Sequence, residues 1–228
     1  MIDPLRHMDV FSPDAFGNRR IDVIGAGATG SKVVLELAKL GITNIHVWDF
    51  DKVESHNIAN QVFGIKDIGK YKVKALKDIV LRQTGAEITT HQERVDGSQI
   101  LGDIVFLLTD TMSSRKEIWT KGLKNKLRTK LVIETRMGSD QGRVYTVNPI
   151  KPAHIRGWEA TLYDDDVAEV SACGTSITVG ATAGFVASLA VWQLIRWFAI
   201  ERGSDTDELD QEIVFGLRPM LTITRQFK

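Results

Sequence analysis

The hydrophobic positions of this chain fall into short blocks whose period changes along the sequence. Ile21–Ile24 is an apolar run that passes directly into a glycine loop. Over residues 31–40 the period becomes helical: Val33, Val34, Leu37 and Leu40 share one face, and Gly41 stops the helix. Ile45–Trp48 is a second strand, closed by Asp49. Together these blocks predict a βαβ unit with a right-handed crossover. Residues 72–83 read as an amphipathic helix through Val73, Leu76, Ile79 and Val80, and residues 87–95 alternate like a strand. Residues 104–108 are continuously apolar, as in a strand covered on both faces. A helix with a polar exterior is expected over 113–127, a buried strand over 131–133, and an alternating strand over 142–147.

The remainder is less regular. Residues 150–176 show no clear period and carry Asp164, Asp165 and Asp166, which reads as a mobile crossover, either functional or merely solvated. Residues 177–202 form a long apolar helix, and residues 212–226 a hairpin around Pro219. The helix is long enough to cross a bilayer. Its many small residues, Gln193, Arg196 and its place after a complete α/β pattern favour a buried core helix instead. The expected fold is therefore α/β: a Rossmann-like, mostly parallel sheet flanked by helices, with antiparallel strands in the C-terminal part. Residues 1–228 are expected to form one domain, preceded within it by an N-terminal arm over 1–19.

Composition narrows the function. At 228 residues and 43% hydrophobic content, the chain can bury a substantial core. Its 29 basic and 29 acidic residues balance, which leaves no electrostatic footprint for nucleic acid or an anionic membrane as the main partner. The single cysteine, Cys173, allows neither an internal disulfide nor a cysteine zinc site, and fits a reducing, cytoplasmic setting. The first residues lack the apolar core of a signal peptide.

The first chemical motif is Gly25-Ala26-Gly27-Ala28-Thr29-Gly30, a GxGxxG between a strand and a helix. Glycines there let the backbone turn tightly and bring a phosphate to the positive end of a helix. Asp49, at the end of the next strand, can accept hydrogen bonds from ribose hydroxyls. These features alone suit a nicotinamide-dependent oxidoreductase equally well.

The following residues separate the two readings. The run Asp49-Phe50-Asp51-Lys52-Val53-Glu54-Ser55-His56-Asn57 resembles a signature of the ThiF, molybdopterin-synthase-activating and ubiquitin-activating superfamily. So do Asp67-Ile68-Gly69-Lys70-Tyr71-Lys72, Thr109-Asp110 followed by Arg115, and Cys173-Gly174 before a small-residue helix. An oxidoreductase leaves Asn57, Lys72 and Asp110 unexplained. The resemblance implies an ATP-dependent adenylyltransferase that activates the C-terminal carboxylate of a small ubiquitin-like or sulfur-carrier protein. Its cofactors would be ATP and Mg²⁺, and its assembly a homodimer. By the same resemblance Gly25, Gly27, Ala28, Thr29 and Gly30 cradle the nucleotide, Asp49 and Asp51 line the ribose end, and Asn57, Gln61 and Lys72 face the phosphates. Lys72 would offset charge as pyrophosphate leaves, and Asp110 would hold the metal. Cys173 would pass the acyl group on as a thioester or persulfide; the plainer alternative is a small buried hydrophobe.

Two departures qualify this picture. The family carries an arginine on the phosphates where this chain has Asn60, and an amide cannot replace that charge. Either Arg6, Arg19 or Arg20 supplies it, or the chain is a non-catalytic ATP-binding scaffold. The paired CxxC motifs of zinc-bearing relatives are also missing.

Overall fold

The computed structural model describes residues 2–165 and 179–228. Its centre is an eight-stranded sheet in the order β3-β2-β1-β4-β5-β6-β7-β8. The parallel part comprises β1 (Ile21–Ile24), β2 (Ile45–Trp48), β3 (Thr89–His91), β4 (Ile104–Leu107) and β5 (Leu131–Met137). The strands β6 (Gln141–Val147), β7 (Glu212–Leu217) and β8 (Met220–Arg225) continue it in antiparallel pairing. This is the expected mixed sheet, parallel first and antiparallel in its C-terminal part.

Helices cover the two faces. On one side lie α2 (Gly30–Lys39), α3 (Lys72–Thr84) and α6 (Gly180–Glu201), following the short α1 (Pro13–Phe16). They close over a core that includes Val23, Val47, Phe106 and Ile133. On the other side α4 (Met112–Ile118) and α5 (Pro152–Glu159) pack through Ile118, Ile155 and Trp158 against Val105, Leu107 and Val132. Burial on both faces explains why β1 and β4 are apolar at every position but Asp22. That carboxylate is satisfied by the indole of Trp48 at 2.7 Å, the guanidinium of Arg20 at 2.7 Å and the N–H of Gly102 at 2.6 Å.

Several boundaries differ from the periodic reading. The strand expected over 87–95 keeps only Thr89–His91, because the edge position gives it one partner strand. The helix after β4 ends at Ile118 and widens into a π-turn over Trp119–Leu123. Strand β5 runs on to Met137 through three polar residues, Glu134, Thr135 and Arg136, which pair across to β6. Within the stretch read as aperiodic, Pro152 opens α5 and Ile155 and Trp158 hold it to the sheet. The N-terminal arm is packed: Phe11 and Phe16 are buried, their ring centroids 5.5 and 5.2 Å from that of Phe198. Helix α6 is only half covered. Phe185 and Trp192 are 40% and 50% exposed on its outer side, so it is a core helix with a free apolar stripe rather than a fully buried one.

Candidate functional site

In this sheet the order in which strands are added reverses between the parallel strands β1 and β4, where crossovers leave to opposite faces. Ligands of open α/β sheets settle at the carboxyl ends of strands at such a point. The loop from Gly25 to Gly30 occupies it. Gly25 has φ +100, and a Cβ there would lie 2.6 Å from the Leu108 carbonyl oxygen. A Cβ on Gly30, the first residue of α2, would lie 1.9 Å from the Gly25 oxygen. Gly27 differs: a Cβ there would meet nothing within 4 Å. Two glycines therefore serve the turn itself, and the third faces open space. No side chain caps α2; Ser31 and Lys32 donate their N–H groups to the Gly27 and Thr29 carbonyls, while the Gly30 N–H has no acceptor among the described residues and stays available to an anion. Thr29 is buried and turns its hydroxyl towards the Met137 sulfur, 3.8 Å away, while Ala28 is half-buried in the same turn.

Asp49 braces this loop. Its Oδ2 accepts from the Ala26 N–H at 2.7 Å and its Oδ1 from the Asp51 N–H at 2.8 Å. Burial raises its pKa above the ordinary aspartate range, against the lowering influence of Lys72 and the two N–H donors. The folded chain thus holds this proton more tightly than the unfolded one. Between the ordinary and the raised value, acidification favours the fold through this group while removing the charge from the loop anchor. Asp49→Ala deletes both contacts and any ribose contact. It is expected to weaken Mg-ATP binding by ~1–3 kcal/mol in calorimetry, the cost of losing charged hydrogen bonds.

The remaining predicted residues gather around the same mouth. Lys72 opens α3 and is 8% exposed, with its ammonium 2.9 Å from Asp51 Oδ2 and its own N–H on the Asp51 carbonyl. Its neighbours Lys70 and Lys74 are exposed, which sets Lys72 apart from a solvated lysine run. Asn57 is buried. Its Oδ1 accepts from the Glu54 N–H at 2.9 Å and closes the 3₁₀ turn Ser55–Ala59. Ser31 of α2 accepts from the Val62 N–H at 3.4 Å and ties that turn to the glycine loop. Beside it, Asn60 Oδ1 and Gln61 Oε1 are buried without a hydrogen-bond partner among the described residues. Unmet acceptors at a ligand mouth ask for donors. Asp110 follows β4 and is exposed; Thr111, not Asp110, caps α4 by accepting from the Ser114 N–H at 3.3 Å. Among the described residues no three acidic, histidine or cysteine side chains group closely enough to hold a metal by themselves. A single carboxylate suits Mg²⁺, which takes its other ligands from water and phosphate. Cys173 lies outside the described residues.

Two of the three arginines expected to replace the missing charge, Arg19 and Arg20, sit elsewhere. Arg20 is engaged by Asp22 at the opposite end of β1. Arg19 stacks on Phe16 and Phe198 and pairs with Glu201 at 2.9 Å, also at that end. Neither reaches the glycine loop of its own chain. The cations that do lie at the carboxyl end of β5 are Arg115 and Arg136, both held against the buried Glu134. Arg136 and Glu134 escaped the sequence reading because they continue a strand that looked finished at Ile133.

Comparison with known proteins shows the family and the fold. The ThiF family model matches residues 8–213. The NEDD8-activating enzyme E1 catalytic subunit of Arabidopsis thaliana is 37% identical over 105 residues, which are 43% of this chain and 23% of that protein. A probable adenylyltransferase/sulfurtransferase MoeZ of Mycobacterium tuberculosis is 32% identical over 105 residues, 43% of this chain and 27% of that protein. The chain thus spans about a quarter of the length of these relatives. Among solved structures, E. coli MccB with ATP superposes with a TM-score of 0.70 at 18% identity, covering 94% of this chain and 65% of that one. PaaA superposes with a TM-score of 0.71 at 21% identity, covering 95% and 66%. These likenesses show the fold.

Proposed function

The chain belongs to the ThiF family, and from that premise we propose that it is an ATP-dependent adenylyltransferase acting on the C-terminal carboxylate of a small ubiquitin-like or sulfur-carrier protein. The observation that carries the reading is the loop of Gly25–Gly30 braced by Asp49, with the buried Lys72 held by Asp51 beside it. A purely structural strand–helix turn has no need of a buried ammonium or of a glycine facing open space. ATP is the substrate that this mouth fits, and it supplies an electrophilic α-phosphate and a pyrophosphate leaving group. The chain's own part is positioning and charge. The Gly30 N–H at the start of α2 and the Asn57 amide hold phosphate oxygens. Lys72 neutralises charge on the side where pyrophosphate departs, and Asp110 holds Mg²⁺. The carrier's carboxylate attacks phosphorus, the P–O bond to pyrophosphate breaks, and an acyl-adenylate forms. A Cys173 thiolate would then displace AMP and form a thioester. Two exposed apolar surfaces, Phe185 and Trp192 on α6 and Met220, Leu221 and Ile223 on β8, suit a second copy of the chain and support the homodimer.

The test pairs calorimetry with exchange. Mg-ATP should bind and NAD should not, and a small protein ending in Gly-Gly should stimulate ATP–pyrophosphate exchange. Cys173→Ser should leave exchange near wild type and abolish any thiol-sensitive adduct seen by intact-mass spectrometry. NAD binding without ATP binding would sink the reading. Asn60 favours one specific second reading, an ATP-binding scaffold. Binding without exchange, and exchange gained by Asn60→Arg, would establish that scaffold instead.

A further inference from the structure

Glu134 is wholly buried on β5 and is contacted by two arginines. Arg136 Nε donates to both of its oxygens at 3.0 Å. Arg115 Nε lies 3.0 Å from Oε1 but out of line for a hydrogen bond, so that contact is ionic. Trp158 donates its indole N–H to Oε2 at 3.1 Å. Two cations share one anion, all three nearly inaccessible to water. Such clusters rarely repay their desolvation in stability, since apolar residues of similar size do as well. This one sits midway along β5, level with the carboxyl end of β4 and so on the ligand side of the sheet.

The two arginines lead in different directions. Arg115 belongs to the first turns of α4, the helix that begins two residues after Asp110, and its Nη2 donates to the Thr135 carbonyl at 3.1 Å. That pins the rotation of α4 to β5. Arg136 reaches across the mouth. Its Nη1 and Nη2 donate to the carbonyl and hydroxyl of Thr161 at 2.7 and 3.0 Å, and its guanidinium lies 5.6 Å from the ring of Tyr163. Two residues further on, Asp165 accepts from the N–H groups of Met112 and Ser113, and Lys116 pairs with Asp164 at 3.0 Å. The α4 terminus is therefore gripped from below through Arg115 and end-on through Asp165. Both grips trace back to one carboxylate.

We propose that Glu134 is a positioning residue that sets Asp110 and the segment 161–165 together, by holding Arg115 and Arg136 on a single buried carboxylate. The geometry stands without any ligand. The consequence for metal-assisted nucleotide binding rests on the adenylyltransferase reading, through Asp110.

The deciding variant is Glu134→Gln, which keeps shape and removes the charge. Hydrogen–deuterium exchange on the full chain should accelerate by about tenfold or more in residues 110–116 and 159–165 together, because both arginines lose their anchor. Residues 21–39 should exchange as in wild type. Acceleration spread evenly over the chain, or none at 110–116, overturns the proposal. If Glu134→Gln does not fold, the conservative pair decides: Arg115→Lys should loosen 110–116 and leave 159–165 as in wild type, Arg136→Lys should loosen 159–165 and with it only the Met112 and Ser113 N–H groups that Asp165 accepts from, and any other distribution counts against it. A nucleotide arm follows in the folded variant. The gain in ATP affinity on adding Mg²⁺ should fall by roughly tenfold, with affinity in EDTA unchanged, since Asp110 and not the glycine loop is disturbed. Equal losses with and without Mg²⁺ would mark Glu134 as merely structural. A wild type that binds no ATP would remove the adenylyltransferase reading, while the exchange pattern would still decide the role of Glu134.

Discussion

Lys72→Ala is expected to cut carrier-dependent ATP–pyrophosphate exchange by on the order of 10²-fold or more, the usual cost of losing one preorganised electrostatic stabiliser. The side chain is 10% exposed and held 2.9 Å from Asp51, so its charge is aimed before any ligand arrives. Charge on the leaving pyrophosphate grows towards the transition state. The loss should therefore fall mainly on kcat, with a smaller change in KM for ATP. Lys74 offers the control. It lies on the exposed side of α3, and Lys74→Ala should leave exchange near wild type. An equal loss from both would show that the net charge of the helix matters rather than a placed ammonium. Asp51 is half exposed, so its ion pair with Lys72 contributes little stability through water, and Lys72→Ala should fold normally.

The glycine loop should separate stability from binding. Gly30→Ala places a Cβ 1.9 Å from the Gly25 oxygen, backbone against backbone, with no flexible side chain to yield. The turn between β1 and α2 has to move, and destabilisation of ~3 kcal/mol or more is expected, at the upper end of overpacking costs. Thermal unfolding would report it as a clear fall in Tm. Gly27→Ala should leave Tm unchanged, because its Cβ meets nothing. That same open space is where a phosphate would approach, and calorimetry should show ATP affinity reduced by roughly tenfold or more, a small steric loss of ~1.4 kcal/mol. If Gly27→Ala bound ATP as tightly as wild type, the nucleotide would have to lie elsewhere. If Gly30→Ala were as stable as wild type, the loop would be softer than its contacts indicate.

Much of this molecule was legible without its structure. The apolar runs at β1, β2 and β4 and the helical periods of α2 and α3 are local patterns, each set by which faces are buried. The strand–glycine–helix order placed the loop, and the spacing from Asp49 to Lys72 placed the family. The C-terminal hairpin around Pro219 and the long helix α6 also stand where their composition put them.

Tertiary structure decided the rest, for reasons that no local pattern carries. Whether a charged residue in a strand is a terminator or a buried partner depends on what faces it. Glu134 and Arg136 looked like the end of β5 until Arg115 of α4, Trp158 of α5 and Thr161 of the turn that follows met them. The reach of an arginine is likewise a matter of which end of the sheet it occupies. Arg19 and Arg20 are close to the glycine loop in sequence, yet a four-residue strand separates them from it and leaves them at the opposite end of the strand, where Glu201 and Asp22 claim them. Helix α5 was hidden because eight residues give barely two turns of period, and only its packing through Ile155 and Trp158 makes them a helix. Sequence determined the elements and their chemistry because burial on one face leaves a local signature. The fold alone determined which charges meet, because those contacts join residues far apart along the chain.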